Sequence, residues 1–228
     1  MHTREIEPVY VWDRIVRATH WAIAGSILLL TATGLYLGHP MGTAYGPARD
    51  HFVTGWAKTI HFYSSIVFGL GVLSRLIWMF LGPRRSGWRN FIPVSKRRLH
   101  DLWETLKFYL LINKAPPVTI GHNPLAGLSY VAVFGMYFVM ILTGFALYSI
   151  SAHSYMHAWS FLLPIFHGAQ GARWLHHVFM WGILCFFVAH MFFASLTSRN
   201  EKNGTIDSIF SGYKFLPKGQ PPDDADIK

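Results

Sequence analysis

Four long gaps in the charge pattern mark out this chain. Residues 18–38 carry no charge, 58–81 carry Lys58 at the edge and Arg75 within, and 125–150 and 174–197 carry none. Each gap reaches the roughly 20 helical residues that a hydrocarbon core requires. Glycine and aromatic side chains recur in all four, in keeping with packed spans and interfacial belts. The pattern predicts an all-α membrane protein. Its four-transmembrane-helix bundle occupies 18–197, between an N-terminal segment 1–17 and a C-terminal tail 198–228. The connection between the second and third spans holds VSKRRLHDLWETLKFYLLINKAP (94–116). There Leu99, Leu102, Trp103, Leu106, Tyr109 and Leu110 recur at helical spacing behind a basic cluster. That predicts an amphipathic helix, either lying on the inner leaflet or packed against neighbouring loops.

Composition agrees. The chain is 52% hydrophobic and 14% charged, against about 25% charged residues in a typical soluble domain. Mean hydropathy is +0.28. A net charge of +9 raises nucleic acid as a partner, but the distribution of the bases answers otherwise. Residues 1–17 hold Arg4, Arg14 and Arg17, the 82–124 connection holds eight Lys or Arg, and the tail holds five. Arg49, Lys58 and Arg173 alone lie in or beside the other two connections. By the positive-inside rule both termini are cytoplasmic and the loops 39–57 and 151–173 face outward. The high charge is thus a topology signal, and no nucleic acid is expected. The mixed-charge N-terminus and the missing small-residue cleavage site indicate a retained first span rather than a cleavable signal. The single cysteine, Cys185, reads as a small buried hydrophobe, and no CxxCH is present for covalent haem attachment.

Histidine is the unusual ingredient. RWLHHVFMWGILCFFVAH (173–190) places three imidazoles in an apolar run, although imidazole is costly to bury without a partner. His176 and His190 are separated by nearly four helical turns, so they share a face at roughly 21 Å along the axis. His177 falls on nearly the opposite side. One metal ion cannot bridge that distance, so two sites are implied. The second span places His61 near its outer end, at the depth of His176, and the first places His20 near its inner end, at the depth of His190. Zinc wants four nitrogen or sulfur ligands. Haem iron needs only two axial ones, and helix bundles supply them from facing helices. The reading is two haems b, with His61 and His176 on the outer iron and His20 and His190 on the inner. Ligation by two histidines leaves no open position and favours electron transfer.

Further positions repeat the same spacing. Arg75 shares the face of His61 at the depth of the inner site, where it would meet a haem propionate or a quinone oxygen, or else snorkel to the interface. Gly34 lies on the face of His20 at the outer depth, giving room for a macrocycle or for helix packing. TATGLYLG and ILTGFALYS end the first and third spans with a weak echo that does not amount to a repeat. His153, His157 and His167 in the outer loop read as interfacial or docking residues. From another functional class, a transporter would use these histidines as proton relays and would be colourless.

Five stretches together resemble the b-type cytochrome subunit of membrane-bound uptake [NiFe] hydrogenases. They are VYVWDRIVRATHW (9–21), KTIHF with SRLIW (58–78), IGHNPLAG (120–127), LTGFALYS (142–149), and WLHHVFMW with VAH (174–190). The resemblance runs from about residue 9 to Gly212-Tyr213. It implies a diheme cytochrome b in the bacterial inner membrane whose haem ligands match His20, His61, His176 and His190. It further implies an outward hydrogenase, docked through its iron–sulfur small subunit and through that to the large subunit. Electrons would pass to the outer haem, the inner haem and then quinone. Hydrogen oxidation would reside in the partner subunits. His122 and Asn123 resemble residues near the quinone end, and Asn123 before Pro124 equally suits a helix start. Because His176 and His177 are adjacent, a distorted fourth helix would exchange their roles. The competing readings are the cytochrome subunit of another respiratory enzyme, such as formate dehydrogenase, and a stand-alone diheme quinol oxidoreductase.

Overall fold

A computed structural model describes residues 6–40, 52–83, 86–110, 112–113, 124–151 and 154–218. In chain order these form β1 (Ile6–Tyr10), α1 (Arg14–Gly38), α2 (Val53–Leu81), α3 (Lys96–Tyr109), α4 (Pro124–Ser151), α5 (Leu162–Ile165), α6 (Gly168–Glu201), α7 (Thr205–Ser211) and β2 (Tyr213–Pro217). Two compact units divide them: Ala18–Leu76, and Met1–Arg17 together with Ile77–Lys228. The division falls within α1 and α2.

Helices α1, α2, α4 and α6 are the four apolar enough to cross a membrane, and in their apolar windows only 11% to 28% of positions are buried. Leu28, Leu70, Phe138, Val188 and Phe192 all stand exposed. So much uncovered hydrocarbon on helices whose backbone bonds are internally satisfied is what a bilayer accommodates and water does not. The helices overrun the gaps from which they were read. α1 starts at Arg14 rather than 18, α2 at Val53 rather than 58, and α6 covers Gly168–Glu201 rather than 174–197. Hydropathy measures the thickness of the apolar slab, whereas a helix continues into the polar boundary as far as its backbone finds partners.

In the unit Ala18–Leu76, α1 and α2 run antiparallel. Thr33 meets His61 and Tyr36 meets Thr54, while a Cβ on Gly71 would come within 3.0 Å of Ile23. The buried positions of α2, Ala57, Ser64, Phe68, Val72 and Arg75, follow one stripe at steps of three, four and seven. His61 lies on that stripe.

In the other unit, α4 and α6 are antiparallel along their length. Tyr130 reaches His190, Met136 lies against Gly182, and Thr143 reaches His176. At one end Ala146 of α4, Leu162 of α5 and Ala172 of α6 form a buried cluster with Leu142, Leu147, Leu163 and Phe166. The turn from α5 into α6 takes positive φ at His167 and Gly168; glycine enters that region freely, and histidine is among the residues more tolerant of it.

α3 lies in the stretch 94–116, as its periodicity indicated. Ser95 caps it by accepting from Arg98 N at 3.2 Å. Leu99, Trp103, Leu106 and Leu110 form an exposed stripe, with Thr105 buried. Glu104 accepts from Lys107 Nζ at 2.7 Å and Asn113 Nδ2 at 2.6 Å. These bonds, that from Lys107 foremost, hold its carboxyl below the ordinary glutamate value.

The termini depart from a purely helical fold. β1 pairs antiparallel with β2, Ile6 opposite Pro217 and Tyr10 opposite Tyr213. Val11 N and Trp12 N donate to Gly212 O at 2.8 and 3.2 Å, and Trp12 Nε1 donates to Ser208 Oγ at 3.0 Å. Arg17 donates to Phe210 O. Gly212 has φ of 93°, and a Cβ there would meet Tyr10 at 2.7 Å, so glycine is needed on both counts. Asp13 locks this assembly. One carboxylate oxygen caps α1 through Val16 N at 3.0 Å, and the other accepts from Trp78 Nε1 at 2.9 Å and Ser86 Oγ at 2.6 Å. Asp13→Ala removes the cap and strands two donors. It should therefore lower stability by about 2–4 kcal/mol, measured by denaturant titration in detergent, and an unchanged midpoint would contradict this account of the termini.

Candidate functional site

Within the unit Ala18–Leu76, α2 presents His61 half-buried on its stripe, and α1 presents Thr33. Thr33 Oγ1 lies 2.9 Å from His61 Nδ1. The same hydroxyl is 2.7 Å from Leu29 O and 3.3 Å from Leu30 O in its own helix. A hydroxyl has one proton. Given to the backbone carbonyl, it leaves the oxygen as an acceptor, so Nδ1 must donate. His61 is then the tautomer whose Nε2 carries the lone pair.

The second unit repeats the arrangement. Thr143 Oγ1 on α4 lies 2.8 Å from His176 Nδ1 on α6, and 2.7 Å from Val139 O and 3.2 Å from Met140 O. Thr143 is fully buried, so its hydroxyl has no water to turn to. His176 is thus assigned the same tautomer, with Nε2 basic. Both threonines precede glycine, in Thr33-Gly34 and Thr143-Gly144. The echo between TATGLYLG and ILTGFALYS therefore has a physical content: each supplies the acceptor for an intramembrane histidine.

His190 also faces α4. Its Nδ1 is 3.4 Å from Tyr130 Oη, and its ring stacks on Phe186 at 5.8 Å with a 10° interplanar angle. His176 and His190 therefore present a common face, as their spacing requires. His177 turns back on its own helix, with Nδ1 donating to Arg173 O at 2.8 Å. His20 is half-buried, with its ring edge-on to Trp21 at 5.1 Å. Arg75 is buried, at 7% exposed. His157 and His167 are exposed, and so is Cys185, which is not the buried hydrophobe its apolar setting suggested. Its thiol is small enough for a lipid-facing site, which the sequence pattern cannot tell from a core. His122, Asn123 and His153 lie outside the described residues.

What can such histidines bind? Among the described residues no three of His, Cys, Asp or Glu converge. A neutral imidazole with Nδ1 bonded and Nε2 basic suits a metal whose remaining coordination comes from elsewhere, which is the demand of haem iron. His61 and His176 fit that group.

Comparison with known proteins points the same way. The family model described as prokaryotic cytochrome b561 matches residues 11–212. A protein of Azotobacter chroococcum mcd 1 named "Probable Ni/Fe-hydrogenase B-type cytochrome subunit" is 30% identical over 224 residues, covering 96% of this chain and 93% of its own. A Bradyrhizobium diazoefficiens protein of the same name is 32% identical over 90% of this chain and 85% of its own. The Escherichia coli K12 "Probable Ni/Fe-hydrogenase 1 B-type cytochrome subunit" is 31% identical over 90% of each. The match runs from the start of the Asp13 lock, through every described histidine of the four apolar helices, to the Gly212 turn. The chain belongs to the prokaryotic cytochrome b561 family.

Proposed function

We propose that this protein is the membrane-anchoring electron-transfer subunit of a Ni/Fe hydrogenase, carrying electrons through two haems b to quinone. His61 and His176 are the axial ligands of an outer haem, and His20 and His190 those of an inner one. The observation that carries this reading is the paired threonine–histidine geometry. At both outer ligands Nδ1 is committed to a hydroxyl and Nε2 is left basic. The names of the relatives supply the partner, since each is called a Ni/Fe-hydrogenase cytochrome subunit.

Bound haem supplies a one-electron carrier that changes oxidation state without moving protons or substrate. The residues of the chain fix where that carrier sits. Two histidines holding each haem would leave no open coordination position and so would exclude oxygen and other small ligands. Helical spacing sets the separation of His176 from His190 along α6. Buried Arg75 would offer a fixed positive charge to a propionate or a quinone oxygen, and His122 with Asn123, outside the described residues, are the proposed quinone-end residues. The exposed stripe of α3, flanked by Lys96, Arg97, Arg98 and Lys107, rests on the anionic inner leaflet with both termini on the same side. The outward loops receive the iron–sulfur subunit of the hydrogenase.

Purified protein should hold two haems b per chain. Alanine at His20, His61, His176 or His190 should each lower that content to about one, while His177→Ala keeps both. Loss of haem from His177→Ala with retention in His176→Ala would overturn the ligand assignment. In membranes, hydrogen should reduce both haems only when the nickel–iron–sulfur partner copurifies, whereas copurification with a formate-oxidising partner, or reduction by quinol alone, would favour the competing readings. Topology is checked separately in a Cys185→Ser background. Ser160→Cys should react with an impermeant maleimide in intact cells and Lys218→Cys only after permeabilisation; the reverse would invert the orientation.

A further inference from the structure

Thr33 and Thr143 sit on different helices and in different units, yet each does the same thing to one histidine. In both, the hydroxyl is 2.7 Å from the carbonyl four residues earlier and within 2.9 Å of Nδ1 of the imidazole. This back-bonding is the configuration in which a helical threonine can only accept from a side chain. The contrast along α6 is informative. His176 has a close hydroxyl acceptor at 2.8 Å, whereas the contact of His190 with the Tyr130 hydroxyl is long at 3.4 Å. The two ends of one helix therefore offer their histidines different electronic surroundings.

We infer that Thr33 and Thr143 are matched positioning residues for the outer haem. Together they fix the tautomer and ring orientation of both its ligands and hold its reduction potential below the value the ligands alone would give. This rests on the ligand assignment proposed above. An Nδ1–H that donates a hydrogen bond makes the imidazole a more basic ligand. A more basic axial ligand stabilises the ferric state over the ferrous, so the potential falls. Two such bonds act on one iron in the same direction. Both bonds act on the outer centre, so a change at either threonine reports on that centre.

The experiment is redox titration of the full-length protein, with haem content determined alongside, for Thr33→Val, Thr143→Val and the corresponding serine variants. Valine keeps the shape and removes the acceptor, and serine restores it. Each valine variant should retain two haems and shift one midpoint potential upward, the same one in both variants and the one that disappears in His61→Ala. The double variant should shift it further, and the serine variants should stay near the wild type. Unshifted potentials in both valine variants, with two haems bound, would overturn this inference while leaving the haem reading intact. A wild-type protein without haem would instead overturn the reading itself. Should a valine variant fail to accumulate, proton NMR of the oxidised wild type decides. The paramagnetically shifted Nδ1 protons of the two outer ligands should be protected from exchange with deuterium oxide, and rapid exchange of both would count against the threonines.

Discussion

An imidazole in a hydrocarbon slab has two nitrogens to satisfy and no water to do it. That constraint governs the structure around His61 and His176. In each case a helical threonine, its own proton already given to the backbone, takes the Nδ1 proton at 2.9 or 2.8 Å. What remains is a single basic nitrogen in a region where an unsatisfied polar group is expensive. The same solution appears twice, and in each the Nδ1 commitment assigns the basic character of the ring to Nε2. Haem iron, the group a b-type cytochrome holds, is the partner proposed for both.

Around these pairs the fold is economical with polar contacts and concentrates them at the termini. The apolar helices bury little of themselves, as suits spans whose outer surface is solvated by lipid. The strong side-chain hydrogen bonding lies at the ends, where Asp13 joins the start of α1 to Trp78 and Ser86, and where Trp12 and Arg17 reach the segment around α7. A helix start tied at three points is not free to slide or turn, and α1 carries His20 within its second turn.

The spans were legible because four apolar stretches of membrane length, three of them charge-free and one interrupted within by Arg75 alone, leave few alternatives. The common face of His176 and His190, with His177 turned away, was legible from helical phase. Three things were not. Helix ends escaped because hydropathy reports the slab and not the helix. The β1–β2 pairing escaped because IEPVY and YKFLP are too short for alternation to stand out and lie far apart along the chain. The threonines escaped for a subtler reason: a threonine in an apolar helix is ordinary, and only the distance to a neighbouring imidazole shows that its hydroxyl is an acceptor. The TG echo was visible in the sequence, but its meaning required a third coordinate.

Two haems, each held by two of the four histidines, are what the proposed function requires. Near-infrared magnetic circular dichroism of the oxidised wild-type protein, calibrated against chain concentration, tests this most directly. The low-spin charge-transfer signature of bis-imidazole iron should appear at two equivalents per chain. A high-spin signal, a signature of histidine with another axial ligand, or a single equivalent would contradict the proposal.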